Sequence, residues 1–252
     1  MLLVFGGTTE GRRCAAALAS GERPFLYSTR TPVDMPAFLG MRVRHGALTP
    51  AALVALCRAE GVRGIVHAAH PFAEQLHATV QAAAETLGLP VWRFERARPP
   101  RSIDPLVHYV PSLAAAVETL LALDQAPLLA LSGVQTIPVL RPFWQTHTTY
   151  FRILDRPDSW AVVDEAGFPH AGIIAGPPDM DARVIGDIVR ARAIRVMLTK
   201  ESGVPGGQPA KIAASRATGV PLLIVERPVL PASFRLVADE AALMAAIAAA
   251  AS

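Results

Sequence analysis

The chain has 252 residues, 52% apolar and 18% charged, with a formal net charge of +3 at pH 7. That composition excludes a disordered chain and allows one large or two small globular domains. No apolar run is long enough to span a bilayer, and the arginines are scattered without the basic, aromatic-interleaved runs of a nucleic-acid binder. The N-terminus runs straight into a strand with neither a basic region nor a cleavage site, so a cytoplasmic enzyme is expected. Cys14 and Cys57 fall in predicted helices and read as buried thiols. Of 24 basic residues only Lys200 and Lys211 are lysines. Lysines kept in an arginine-rich chain mark positions where a compact ammonium differs from a planar fork.

Leu2 to Phe5 predicts a buried strand, and Cys14 to Ala19 a helix packed on a sheet. Between them lies Gly6-Gly7-Thr8-Thr9-Glu10-Gly11. Glycines between a strand and a helix N-terminus make a phosphate cradle, because the backbone can approach closely and the dipole favours an anion. Gly6 and Gly11 occupy the outer positions of a dinucleotide fingerprint, but Thr8 replaces the middle glycine; its hydroxyl is expected to hydrogen-bond a phosphate oxygen. An ordinary turn with packing glycines is the alternative. Pro24 to Arg30 predicts the second strand, ending in Ser28-Thr29-Arg30 with no carboxylate before Asp34. An acidic residue there marks NAD and an arginine accommodates the 2′-phosphate of NADP, so the expected cofactor is NADPH.

Arg42 to Gly46 predicts a third strand, and Thr49-Pro50 opens a helix that Gly61 closes. The strand Gly64 to Ala69 runs into His70-Pro71-Phe72, which places an imidazole at the carboxyl edge of a parallel sheet, where ligands bind. No cysteine or carboxylate cluster joins His67, His70 and His77, so no metal is expected. A helix from Phe72 to Leu87 and a strand Leu89 to Phe94 complete a parallel α/β pattern. The run Glu95 to Arg101, with two adjacent prolines, predicts a boundary between domains 1–95 and 96–252, with the terminal helix able to pack back on the first.

The alternation then resumes. Ser112 caps a helix to about Leu123, and the strand Leu128 to Leu131 meets Ser132-Gly133, either a second anion cradle or a plain turn. Tyr150 to Leu154 predicts a strand carrying Arg152 among apolar neighbours, and Ala171 to Gly176 a strand turning at Pro177-Pro178. A helix runs from Asp181 to Ala191. The strand from Val196 delivers Thr199-Lys200-Glu201-Ser202-Gly203 at its carboxyl end. A helix Pro209 to Thr218 carries Lys211, Pro221 to Val225 is the last predicted strand, and Glu240 to Ala251 a terminal helix. Lys200 beside Ser202 suits a carboxylate or phosphate ligand; a surface lysine paired with Glu201 is the alternative.

Taken in order, Gly-Gly-Thr-x-Glu-Gly, His-Pro-Phe-Ala at 70–73, Thr-Lys-Glu-Ser-Gly at 199–203 and Gly-Val-Pro-Leu-Leu-Ile-Val-Glu-Arg-Pro at 219–228 resemble the precorrin-6A reductase family of cobalamin biosynthesis. The resemblance covers essentially the whole chain. It implies two Rossmann-like α/β domains with the active site in the cleft between them, and NADPH-dependent reduction of one macrocycle double bond, giving precorrin-6B from precorrin-6A. It further implies that Gly6, Gly7, Thr8, Thr9, Glu10 and Gly11 hold the pyrophosphate, and Ser28, Thr29 and Arg30 the 2′-phosphate. His70, Pro71 and Phe72 would lie near the nicotinamide, with His70 a candidate catalytic acid beside water. Thr199, Lys200, Glu201, Ser202, Gly203 and Lys211 would face the tetrapyrrole's carboxylates, with Ser132 and Arg152. Neighbouring enzymes of the pathway are the expected partners. The chain departs from the family at Ala69, where a threonine is usual, and at Ala97, where a proline is usual.

Two other functions compete. A non-catalytic NADP-binding sensor would share the first half, but does not need the Thr-Lys-Glu-Ser-Gly edge. A short-chain reductase uses Tyr-x-x-x-Lys, and neither lysine here has a tyrosine four residues before it, which excludes that class.

Overall fold

A computed structural model describes residues 1–95, 98, 100–177 and 180–250. The chain divides into two units, Met1–Ala97 with Pro228–Ser252, and Arg98–Arg227. Part of the predicted boundary (residues 96, 97 and 99), Pro178 of the predicted turn and Ala251 of the predicted terminal helix lie outside the described residues.

The first unit holds β1 (Leu2–Phe5), α1 (Thr9–Ser20), β2 (Phe25–Thr29), β3 (Met41–His45), α2 (Pro50–Ala59), β4 (Gly64–His67), α3 (Glu74–Leu87) and β5 (Val91–Phe94). The second holds β6 (Val107–Val110), α4 (Leu113–Leu123), β7 (Leu128–Leu131), α5 (Arg141–Trp144), β8 (Thr149–Leu154), α6 (Pro157–Ala166), β9 (Ile173–Gly176), α7 (Ala182–Ala191), β10 (Val196–Lys200), α8 (Gln208–Thr218) and β11 (Leu222–Val225). The chain then returns to the first unit with β12 (Arg235–Val237) and α9 (Glu240–Ala249).

Local chemistry explains most of these ends. The side chains of Thr8, Thr49, Ser112, Asp181 and Asp239 each accept a hydrogen bond from a first-turn backbone N–H, satisfying a donor that the helix leaves unpaired. Gly88 ends α3 at φ 64°, a left-handed conformation that costs glycine nothing. α3 begins two residues later than expected because Phe72 and Ala73 belong to the loop leaving β4.

All strands in both sheets pair in parallel. The first sheet runs β12-β5-β4-β1-β2-β3 and the second β6-β11-β10-β7-β8-β9. Each is the doubly wound 3-2-1-4-5-6 order, with its sixth strand taken from elsewhere in the chain. β6 follows β5 in sequence yet lies beside β11; β12 follows β11 yet lies beside β5. Residues 228–252 therefore belong with the first unit.

In the first sheet Val4, Tyr27, Val66 and Trp92 pack one face against α1 and α9. Leu3, Phe5, Leu26 and Ile65 pack the other against α2 and α3. Alternate residues of one strand serve opposite faces, as the period of two requires. This two-sided burial leaves only the ends of the strands open to ligands, which fixes where the sites lie.

Candidate active site

Strand order reverses at β1/β4 in the first sheet and at β7/β10 in the second. Crevices at such switch points, outside the carboxyl ends of the strands, are where open α/β sheets bind ligands. At β1 the glycine turn is shaped by packing. A Cβ on Gly6 would lie 2.0 Å from Tyr27 Oη, and one on Gly11 would lie 2.7 Å from Gly6 Cα. Gly11 thus lets α1 close onto the turn. Gly7, at φ +88°, donates its N–H to Tyr27 Oη at 3.0 Å.

Gly7 and Thr9 are exposed, whereas Glu10 and Gly11 are buried. The Thr8 hydroxyl accepts from Gly11 N at 3.0 Å and donates to Ala68 O at 2.7 Å. Its proton is engaged by protein, so Thr8 acts as a cap and a cross-link to β4 rather than as the phosphate donor expected from sequence.

A similar internal engagement marks the end of β2. Ser28 and Thr29 are buried. Ser28 Oγ accepts from Arg44 Nη1 at 2.7 Å; Thr29 Oγ1 donates to Thr31 O at 2.8 Å and lies 2.8 Å from His45 Nδ1. Arg30 is exposed. Arg44 pairs with Ser28 in register, so β3 supplies a cation that the linear sequence hid. The clue was its place on the short strand expected at Arg42 to Gly46.

At the end of β4, His70 is exposed and its Nδ1 accepts from Phe72 N at 3.2 Å. Pro71 is buried and Phe72 half-buried. His67 and His77 are buried, with His67 Nε2 and His77 Nδ1 2.7 Å apart and His77 Nε2 2.9 Å from Pro71 O. A carbonyl only accepts, so His77 carries its proton on Nε2 and His67 donates from Nε2. His67 Nδ1 has no hydrogen-bond partner.

Burial lowers the pKa of both imidazoles; for His67 the Arg93 charge adds to this, while around His77 the Pro71 carbonyl and Glu95 act against burial and Arg93. Below the ordinary value of 6.5 the unfolded chain takes up protons that the folded chain refuses. Stability is therefore expected to fall as pH drops below that value, by up to about 1.4 kcal/mol per pH unit per histidine. Thermal unfolding between pH 7 and 5 checks this; a His77→Gln variant should show a shallower fall.

The second switch point gathers the other sequence-chosen residues. Thr199 is fully buried; its hydroxyl accepts from Lys211 Nζ at 2.9 Å and donates to Leu131 O at 3.3 Å. Lys211 Nζ also donates to Gly206 O at 3.0 Å. Burial, and secondarily the Lys200 charge, lower the Lys211 pKa to about 8. The only two lysines in the chain are thus electrostatic neighbours.

Glu201 is buried and accepts from Arg227 N at 3.0 Å, which ties the end of β10 to the segment after β11. Ser202 Oγ donates to Gly206 O at 3.1 Å, and Gly203 N donates to Gln208 at 3.0 Å. Ser132 Oγ lies 2.7 Å from Thr136 Oγ1, which donates to Gly133 O. Arg152 donates to Ile153 O and Pro177 O. A cavity of about 550 Å³ opens here, lined by Gly133, Arg152, Met180, Asp181, Gly206 and Lys211 among others. Among the described residues, no three His, Cys, Asp or Glu side chains are placed to hold a metal ion.

Two doubly wound parallel sheets, one with a glycine turn after β1 and one with half-buried cations around a cavity, define an α/β protein of the dinucleotide-fold class. Comparison with known proteins narrows this class. Residues 1–248 match the family model "Precorrin-6x reductase CbiJ/CobK". The chain is 34% identical to the precorrin-6A reductase of Rhodobacter capsulatus over 92% of its own length and 89% of the relative's. It is 34% identical to that of Rhodococcus erythropolis, covering 97% and 96% of the two chains. The cobalt-precorrin-6A reductase of Synechocystis sp. is 29% identical, with coverages of 88% and 82%. A solved structure, CobK precorrin-6A reductase, superposes with a TM-score of 0.76 at 26% identity, over 99% of this chain and 96% of the other.

The chain belongs to the precorrin-6x reductase family and is an oxidoreductase acting on a CH–CH bond. That leaves the sensor alternative without support. No described helix is long and apolar enough to cross a membrane.

Proposed function

We propose that NADPH is the hydride donor, bound at the carboxyl edge of the first sheet, and that the second unit's cavity recognises carboxylate side chains of the tetrapyrrole. The reaction is the family's, reduction of one macrocycle double bond of precorrin-6A to give precorrin-6B in cobalamin biosynthesis. Bound NADPH supplies the hydride; the protein supplies orientation and electrostatics.

The observation that carries the choice of NADPH is Arg44, anchored on Ser28 at the end of β2, with Arg30 nearby in sequence and no acidic residue between 25 and 33. Gly7 to Thr9, at the positive end of α1, suit a pyrophosphate. Arg152 and Lys211 keep cationic heads at the cavity, where their donors meet neutral oxygen and sulfur atoms, which suits the substrate's carboxylates. His70 is the proposed proton source. With Nδ1 accepting from Phe72 N, its proton leaves from Nε2.

The test is anaerobic NADPH oxidation with precorrin-6A and cobalt-precorrin-6A offered separately, repeated with NADH and with Arg44→Ala. Turnover with NADPH well above that with NADH is expected. Arg44→Ala should raise the NADPH KM about 10- to 100-fold, the worth of a charge-assisted hydrogen bond, and leave NADH turnover unchanged. Equal use of both nucleotides by the wild-type protein would remove the 2′-phosphate assignment.

A further inference from the structure

The loop that leaves β4 is irregular backbone, yet most of its carbonyls are held by donors. His67 O and Ala69 O accept from Arg93 Nη1 at 3.3 and 2.9 Å. Ala68 O accepts from Thr8 Oγ1 at 2.7 Å, and His70 O from Ala73 N at 3.0 Å. Pro71 O lies 2.9 Å from His77 Nε2, whose other nitrogen is held by His67. Five consecutive carbonyls, residues 67–71, thus each have a donor, and the donors come from the glycine turn, β5, α3 and the loop itself.

Arg93 is 1% exposed and His77 4%. Burying a guanidinium and an imidazole costs free energy, and an apolar pair would fill β5 and α3 as well. Here both are directed at main-chain atoms of a loop whose outer face carries His70 and Phe72. Arg93 is itself held by Glu95 at 2.9 Å.

We propose that Arg93 and His77 are positioning residues of the reduction: they fix the backbone of residues 67–71 so that His70 and Phe72 meet the nicotinamide in one geometry. This rests on the assignment of that loop to the nicotinamide. Near-attack chemistry is steep in distance, and a misplacement of about 1 Å can cost about 100-fold. Thr8 joins the same loop to the glycine turn, so the two halves of the cofactor site move as one piece.

Two polar variants separate the halves of the His77 link. In His77→Gln the side-chain amide reaches the place of Nε2 and keeps the bond to Pro71 O. In His77→Asn it occupies the place of Nδ1 and keeps only the contact with His67. Measured on folded protein, with melting temperature and NADPH dissociation constant determined alongside, His77→Gln should retain most of kcat. His77→Asn should lose about 10- to 100-fold in kcat, with a larger deuterium isotope effect from 4-deuterated NADPH as hydride transfer becomes limiting. Arg93→Met should behave as His77→Asn does.

The proposal is overturned if kcat and the isotope effect are unchanged in His77→Asn, or if the Gln and Asn variants lose kcat equally and in step with their melting temperatures. His70→Ala and Phe72→Ala distinguish the underlying assignment. If they alter kcat while the His77 and Arg93 variants do not, only the positioning role falls. If they change neither kcat nor NADPH affinity, the loop does not meet the nicotinamide and both fall.

Discussion

Gly6→Ala is expected to destabilise the first unit by about 3 kcal/mol, the upper end of the usual range for overpacking, and to weaken NADPH binding with it. The new Cβ would lie 2.0 Å from Tyr27 Oη and 2.1 Å from its Cζ. Tyr27 is fully buried between α1 and the sheet, and its hydroxyl already accepts from Gly7 N. The ring can escape only by moving α1 or by dropping the bond that shapes the turn. Either movement displaces the helix N-terminus proposed to face the pyrophosphate. Thermal unfolding and a fluorescence titration with NADPH measure the two losses. A Gly6→Ala/Tyr27→Leu double variant removes the ring tip and should recover stability beyond the sum of the single changes. A Gly6→Ala protein with unchanged melting temperature would refute this account of the turn.

Lys211→Met carries the largest effect expected in the second unit. The ammonium is held by Thr199 and Gly206 at the cavity wall. Its loss should raise the KM for the tetrapyrrole about 10- to 100-fold, as removal of a charge-assisted contact does, and leave the NADPH dissociation constant unchanged. Stability should hold, because the methionine avoids desolvating a charge.

The pH dependence gives a second signature. With its pKa lowered to about 8, Lys211 loses its proton as pH rises through that value, so tetrapyrrole affinity should fall there in the wild-type protein and stay flat in Lys211→Met. Stability moves the other way. Between about 8 and the ordinary lysine value of 10.5 the unfolded chain binds a proton that the folded chain has released, so this group's contribution rises with pH. Affinity and stability that fell together above pH 8 would contradict the assignment.

Much of the fold was legible because its signals are local. Buried strands, glycine stops and capping residues at Thr49, Ser112 and Asp181 depend on neighbours within a few residues. So does the placing of His70 and Thr199 to Gly203 at strand ends. Four elements were missed: α5, β6 and β12 are short, and β12 has only three residues, two of them exposed, whereas α6 was overlooked although Pro157 opens it and Gly167 closes it.

By itself, then, the sequence determined the parallel α/β architecture and the family, and it set the glycine turn and the Thr199 to Gly203 run at the carboxyl ends of strands. Only the tertiary structure decided that the sheets exchange their sixth strands. It also decided that Thr8, Ser28, Thr199 and Glu201 are engaged by protein, that Arg44 reaches Ser28, and that His77 and Arg93 hold the carbonyls of the loop after β4. The physical reason is distance along the chain. A helix cap is settled within one turn. Whether a hydroxyl faces a ligand or another residue's donor depends on a partner such as Ala68 for Thr8, 60 positions away, whose approach the whole sheet must first create.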